Sequence, residues 1–516
     1  MNSTASQIIH HGWEFQIFNT DSWHSATVPG CVHLDLFDND LIPDPFFGLN
    51  EPKLQWISNE SWTYRLVFQP SSKVLSTKNI EILFHGLDTY ADVYLNGTNV
   101  ICANNMFHPW SAHIKDIIND GDNELLVQFR SPLKEVVEKM KSMDYALPAD
   151  NDQAGKTSPY TRKAPYHYGW DWGPCLVTSG IWKGVELIGW NDWHVTHFQV
   201  SNKSVSNYNA ELEVELEVVA EIQETLKITL SELITGNEYK KVFKMKDGIN
   251  NFSFNISLTN PQLWWPHGHG DQILHHFFLT VETDDQLEKR ERKIGIRDVT
   301  IKRAADQGGE SFEIFVNNMP IFSKGANWIP ADYFVERLQV EDYRRLLKDA
   351  IRVNMNTLRI WGGGIYEPDH FYELCDEMGI MVWQDFMFAC SMYPADDSFL
   401  ESVDKEARYQ VNRLKSYASV ILWCGNNEVA SAWLSWGWKK ELPDSIWEDY
   451  RKLFHELLPK VCSELDPQRL YWPSSPCHGT DQSNQDQIYG KGDNHYWGVW
   501  HGGDDFNAFE DNVGRF

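Results

Sequence analysis

The chain has 516 residues, 45 of them basic and 73 acidic, giving a net charge of −28. That length allows about three domains, and a composition 42% hydrophobic and 23% charged excludes a disordered or fibrous chain. The acidic excess argues against nucleic acid or an anionic membrane as partner, because both are bound through clustered Lys and Arg, whereas 23 Trp in a chain that is 14% aromatic point to stacking surfaces.

The N-terminal stretch from Met1 to His11 has no basic segment followed by an apolar one, and no run approaches roughly 18 apolar residues. No secretory signal or spanning helix is therefore expected, and a cytoplasmic location is. Cysteines 31, 102, 175, 375, 390, 424, 462 and 477 are scattered without a CxxC spacing, which disfavours a zinc ribbon or a disulfide framework. Asn-x-Ser/Thr triplets begin at Asn2, Asn59, Asn96, Asn202, Asn251 and Asn255 and would suit a secreted chain, but the missing signal outweighs them. No cofactor is expected, and composition carries no sign of the oligomeric state.

Residues 1–190 read as all-β. Glu81-Ile82-Leu83-Phe84 and Asp92-Val93-Tyr94-Leu95 alternate, an Asn96-Gly97 turn follows, and Leu125 to Phe129 repeats the pattern. Many short strands broken by Gly, Pro and Asn predict a jelly-roll sandwich. Over 191–298, Leu212, Val214, Leu216 and Val218 alternate with Glu213, Glu215 and Glu217, and Leu226 to Leu230 and Phe252 to Leu258 do likewise. An immunoglobulin-like sandwich is expected, with the Glu residues on its solvated face.

From residue 299 the period changes. Tyr343, Leu346, Leu347, Ala350 and Ile351 share one helix face, and a strand follows at 356–361. Helices near 368–377, along Val403, Ala407, Val411, Leu414 and Ala418, and near 444–463 alternate with strands at 380–383, 419–423 and 469–473. Short βα connections without a GxGxxG turn favour a (β/α)8 TIM barrel over a dinucleotide fold. About six strand candidates are present, so residues 299–516 are expected to hold an incomplete barrel.

A barrel carries its active site at the C-terminal ends of its strands. The strand at 419–424 runs directly into Gly425-Asn426-Asn427-Glu428. Among Trp and Tyr, desolvation would raise the pKa of Glu428 and fit it for general-acid work. The alternative is that Glu428 caps the next helix. Two histidines in 494–503, His267-Gly268-His269 and His275-His276 match no metal-ligand spacing, and loop or strand-face histidines are expected. The glycines at 362–364 lack the Lys-Ser/Thr of a phosphate loop.

Trp423-Cys424-Gly425-Asn426-Asn427-Glu428 resembles the acid/base motif of glycoside hydrolase family 2, and Tyr166 to Pro174 resembles its β-mannosidase branch. Val28 to Leu36, Ile42 to Glu51, Lys324 to Trp328 and Leu358 to Glu367 fit the same branch, so the resemblance covers the whole chain. It implies a retaining exo-β-mannosidase that releases terminal non-reducing β-D-mannose, with β-linked mannosides or manno-oligosaccharides as substrates. Glu428 would be the acid/base and Asn427 would bond the sugar 2-OH, a contact that strengthens in the oxocarbenium-like transition state. Arg359 would orient the nucleophile, Trp361 would wall the sugar, and Trp170 and Asp171, on a loop over the barrel mouth, would contact its hydroxyls. Asn494 to Gly503 looks like the strand-six region, bringing Tyr496 or one of its two histidines near the nucleophile and Trp497 as a wall.

The family nucleophile is a Glu in a Ser-Glu-Phe-Gly type seventh strand, following an Arg-Phe pair. Here Gly514-Arg515-Phe516 closes the sequence, so an inactive fragment is expected. Sister activities of the family (β-galactosidase, β-glucuronidase, exo-glucosaminidase) and a non-catalytic carbohydrate-binding protein are the alternatives.

Overall fold

The computed structural model describes residues 4–306, 309–478 and 491–511. The Gly514-Arg515-Phe516 set and Asn2 lie outside them.

Two antiparallel sheets form the first sandwich. Six strands run in the order His24–Ser25, Glu14–Ile17, Trp62–Phe68, Asn123–Phe129, Ala91–Leu95, Thr98–Ala103, and four in the order Ala5–Ile8, Val185–Trp190, Asn79–Phe84, Trp110–His113. Ile80, Ile82 and Phe84 from one sheet and Val93, Leu95 and Val127 from the other are fully buried in a common core, the alternation putting one face inward. The Asn96-Gly97 hairpin forms as its sequence dictates, with both residues at positive φ, 50° and 80°. The module is not all-β, however. Val32–Asp38 is a helix, its buried Val32, Asp35 and Leu36 falling at helical spacing, and short helices at Ser72–Leu75, Pro132–Glu135 and Val137–Ser142 use connections that contain no strand-like alternation.

A second sandwich pairs Trp193–Val205, Asn209–Ala220 and Gly248–Thr259 against a sheet ordered Glu238–Lys244, Thr225–Glu232, Leu274–Glu282, Leu287–Gly295. Leu212, Val214, Leu216 and Val218 are at most 2% exposed. Glu215 departs from the purely solvated face expected of it: its carboxylate pairs with Lys415 at 2.6 Å, tying this sheet to the α/β unit. His275, expected on a loop or strand face, is buried and bonded to Glu232 at 3.0 Å.

Among the described residues, the α/β unit holds five parallel strands that lie side by side in chain order: Gly325–Trp328, Thr357–Ile360, Met381–Asp385, Val420–Cys424 and Leu470–Trp472. Helices Val340–Arg352, Asp369–Met378 and Asp397–Leu414 connect the first four, and Ser445–Arg451 and Leu458–Leu465 lie before the fifth. Ala418, expected on the third helix, lies past its end. The sixth candidate, near 494, is not a strand among the described residues. Its Gly-rich, Trp-rich sequence folds into turns, His501 N and Gly502 N both bonding back to Trp497 O.

The first sandwich packs directly on this unit, with Met106, Phe107, Tyr160 and Tyr166 in one continuous core with Ile360, Trp361 and Phe388. Arg162 reaches from it to Glu406 of the third helix, an ion pair at 2.6 Å whose side chains are 2% and 1% exposed. Glu406 also accepts from Asn105 Nδ2 and Tyr366 OH. At the other end of the chain's β region, Arg297 donates to the Ala418 and Val420 carbonyls and so fixes the entry to the fourth strand.

Candidate active site

The fourth parallel strand is buried at every residue, flanked on both sides, and therefore aims the chain leaving it. Asn426 Oδ1 accepts from Val429 N at 3.1 Å and from Ser474 Oγ at 2.7 Å, so Asn426 rather than Glu428 satisfies the start of helix Val429–Ser435. The helix-cap alternative for the Glu428 side chain is thus excluded: its carboxyl makes no capping bond. Glu428 instead sits at φ 61°, a left-handed conformation that costs a non-glycine residue about 1 to 2 kcal/mol. Such strain concentrates where function needs a fixed geometry. Here it turns the carboxyl away from its own helix.

The Glu428 side chain is 14% exposed and has a different neighbour on each oxygen. Oε1 is 2.6 Å from His495 Nδ1 and accepts from Trp497 Nε1 at 3.4 Å, while Oε2 lies 3.6 Å from Cys390 Sγ. Burial pushes the Glu428 carboxyl up, as desolvation alone predicts. The hydrogen bond and charge of His495, then Trp497 and Arg359, outweigh it and hold the group below its ordinary value. The expectation of a raised carboxyl is corrected by this partner, which strand-end position does not reveal.

Arg359, at the end of the second strand, is a junction. Its Nη2 donates to Asp385 Oδ2 at 2.8 Å and to Asn427 Oδ1 at 2.9 Å, and Nη1 to Asn327 Oδ1 at 3.1 Å. Expected to orient a nucleophile, it is here paired with Asp385, which also accepts from Trp383 Nε1 and Gly362 N. Burial pushes the Asp385 carboxyl up, and Arg359 offsets part of that. Asn427 is 5% exposed, and its Nδ2 faces Cys390 Sγ at 3.4 Å.

Trp361 closes one side. A Cβ on Gly363 would lie 1.9 Å from Trp361 Cη2, so only glycine lets this indole lie across the loop. Trp170 meets Trp361 edge to face with centroids 4.6 Å apart, and Trp172 lies 5.8 Å from it. These residues are on a hairpin rather than an open loop: Tyr168–Trp170 pairs with Gly173–Cys175, leaving Asp171 exposed at the tip. Tyr166 anchors the hairpin, donating N–H to Gly363 O at 3.0 Å and O–H to Tyr333 O at 2.8 Å. Tyr496 is turned aside, its hydroxyl donating to Asp504 Oδ2 at 2.6 Å, whereas Trp497 is 48% exposed above Glu428.

Glu428, Asn427 and Arg359 are therefore linked through shared partners, with Trp361 and Trp170 packed beside the loop that follows Arg359, while Asp171 is exposed at the hairpin tip. Sequence reasoning passed over Asp385, although it ends a parallel strand as Glu428 follows one. Cys390, Ser475 and Asp493 lie on loops with no periodic signal. No group of three or more His, Cys, Asp or Glu suited to a metal occurs among the described residues, and no described helix is long and apolar enough to cross a membrane.

The family descriptions "Glycosyl hydrolase 2 galactose-binding domain-like" and "Glycosyl hydrolases family 2" match residues 13–183 and 193–297. A "Beta-mannosidase B" of Emericella nidulans is 35% identical over 539 aligned positions, covering 100% of this chain and 62% of that protein. A "Beta-mannosidase" of Capra hircus is 35% identical over 90% of this chain and 55% of its own length. A crystal structure of a β-D-mannosidase from Dictyoglomus thermophilum matches with a TM-score of 0.93 and 42% identity, over 99% of this chain and 62% of that one. The chain thus spans about three-fifths of the length of the relatives it matches. With both sandwiches matched by its descriptions and an α/β unit that follows the same relatives, the chain belongs to glycoside hydrolase family 2.

Proposed function

We propose that the protein carrying this chain is a retaining exo-β-mannosidase that removes terminal non-reducing β-D-mannose, with Glu428 as its acid/base. The observation that carries this reading is the Glu428 carboxyl, turned out of its helix by a left-handed backbone and sharing the Cys390 thiol with Asn427, which Arg359 holds in turn. The names of the relatives support mannose as the sugar.

In the first step Glu428 gives its proton to the glycosidic oxygen as the bond to the anomeric carbon breaks, and a second carboxylate attacks that carbon from the opposite face. In the second, Glu428 takes a proton from water, whose oxygen displaces the carboxylate and restores the β-anomer. Asn427, held by Arg359, bonds the 2-OH, while the Trp170 and Trp361 indoles offer apolar faces to the sugar ring. The attacking carboxylate belongs, on this reading, to the portion of the relatives that residues 1–516 do not span, as no Ser-Glu-Phe-Gly type segment occurs in this sequence. A reducing compartment is part of the proposal, in keeping with eight cysteines that form no disulfide among the described residues, seven of them buried.

The test is a panel of aryl β-glycosides presented to the whole protein, with proton NMR of the sugar first released. The expected result is hydrolysis of the β-mannoside well above the β-glucoside, β-galactoside and β-glucuronide, with β-mannose appearing first. Release of α-mannose first, or a preference for another sugar, would overturn it.

A further inference from the structure

Behind Glu428 runs a chain of hydrogen bonds drawn from separate parts of the sequence. Ser475 Oγ donates to Asp493 Oδ2 at 2.5 Å, and the same oxygen lies 3.0 Å from His495 Nε2. His495 Nδ1 lies 2.6 Å from Glu428 Oε1. Asp493 is itself fixed, its Oδ1 accepting from Trp472 Nε1 at 2.7 Å and Cys477 N at 2.8 Å. A carboxylate so placed accepts the Ser475 proton, which leaves only lone pairs on Oγ for the imidazole. Nε2 must therefore carry a hydrogen and donate it.

That constraint determines what stands between His495 and Glu428. With Nε2 protonated, a neutral imidazole presents a lone pair at Nδ1, and an ionised Glu428 presents another at Oε1. At 2.6 Å the contact is attractive only with one proton between them, either as Glu428–H···Nδ1 or as Glu428⁻···H–Nδ1⁺.

We propose that Ser475 and Asp493 are positioning residues that lock the His495 tautomer, so that His495 and Glu428 hold one shared proton, the proton delivered to the leaving group. This rests on the acid/base reading of Glu428. The balance is simple. The shared proton leaves to the glycosidic oxygen, Nε2–H stays on Ser475, and the carboxylate is left facing a lone pair. That repulsion makes it ready to take a proton back from water in the second step. Trp497 Nε1 also points at Oε1, whereas among the described residues Oε2 has the Cys390 thiol alone beside it, so Oε2 is the oxygen this arrangement offers to substrate. Among the described residues, the other ionisable groups acting on Glu428 or Asp493 are Arg359 and the Cys390 and Cys424 thiols, with Asp385 behind Arg359.

The experiment uses the whole protein labelled with 15N in its histidine rings, with the His495→Gln variant identifying the signals. Ser475→Ala keeps the backbone bonds of residue 475 and is the first variant, and Asp493→Asn is the second. In the unmodified protein His495 shows a hydrogen on Nε2 throughout, with Nδ1 in a short shared bond. In Ser475→Ala the neutral ring adopts the Nδ1–H form once the shared proton is lost. Loss is then easier, and the alkaline limb of kcat/KM moves to lower pH by about one unit. A neutral His495 with its hydrogen on Nδ1 in the unmodified protein, or ring signals and pH limb unmoved by both variants, overturns the proposal. Because the ring signals need no turnover, an absence of mannosidase activity refutes the acid/base reading while the tautomer is still decided.

Discussion

The Trp170 indole stands edge-on to the Trp361 indole at 4.6 Å, joining the first sandwich to the second parallel strand at the mouth of the site. A module that merely packed on the outside of the barrel would make no such contact. Asp171, next in sequence and exposed at the hairpin tip, is the polar group this arrangement presents. Asp171→Ala should lower kcat/KM for an aryl β-mannoside by more than about tenfold with Tm nearly unchanged, since exposed substitutions usually stay within about 0.5 kcal/mol. A variant that is chiefly unstable, with normal kinetics in its folded fraction, would place Asp171 among structural turn residues.

The docking of the first sandwich rests on the Arg162–Glu406 pair, which is buried and further bonded to Asn105 and Tyr366. Removing one partner strands a buried charge, at a cost of about 3 to 5 kcal/mol. Arg162→Met should therefore lower Tm and expose the interface to protease, whereas Arg162→Met with Glu406→Gln should recover much of the loss. Equal destabilisation by the single and double variants would show that the pair's charge is not what matters.

Glu367 supplies a pH dependence unrelated to catalysis. Burial pushes its carboxyl up to about 7, with Trp328 Nε1 and Tyr343 OH donating to it. The folded state then holds a proton that the unfolded chain has released, so this group's contribution to stability falls as pH rises from about 4.5 to about 7 and stays low above that. Glu367→Gln removes the dependence. Its Tm should gain on that of the unmodified protein between pH 5 and pH 8, by an amount equivalent to up to about 3 kcal/mol. A Tm difference flat across that range would contradict the raised value.

Gly363→Ala would force the new methyl into the Trp361 ring. The expected outcome is a kcat/KM loss of about tenfold or more, with quenched or shifted Trp fluorescence marking the displaced indole. Normal kinetics would mean that Trp361 does not wall the sugar.

Much of this was legible because parallel strands announce themselves. The all-apolar run Val420 to Cys424, set between two helical periods, reads as a buried strand, and its C-terminal end points to Asn427 and Glu428 without any contact information. The Leu212 to Val218 alternation fixed the second sandwich in the same way. What stayed hidden depends on pairings across the fold. Nothing local in Ser475 or Asp493 says that they meet at His495, and strand-end position does not reveal that His495 meets Glu428 and lowers its carboxyl. Asp385 was readable by the strand-end rule and was passed over. The strand expected near 494 failed because aromatic, Gly-rich sequence serves turns as readily as strands.

Glu428→Gln in the whole protein decides whether Glu428 is the acid/base. An acid is needed to expel a sugar or alkoxide but not an activated aryl oxide. The measurement is kcat/KM across β-mannosides of graded leaving-group acidity, together with binding of β-mannose by calorimetry. The account predicts retained binding, a loss of about 100-fold or more for manno-oligosaccharides, and glycosyl-enzyme formation largely spared for the most activated aryl mannoside. Equal loss of turnover for every leaving group, accompanied by loss of binding, would contradict it.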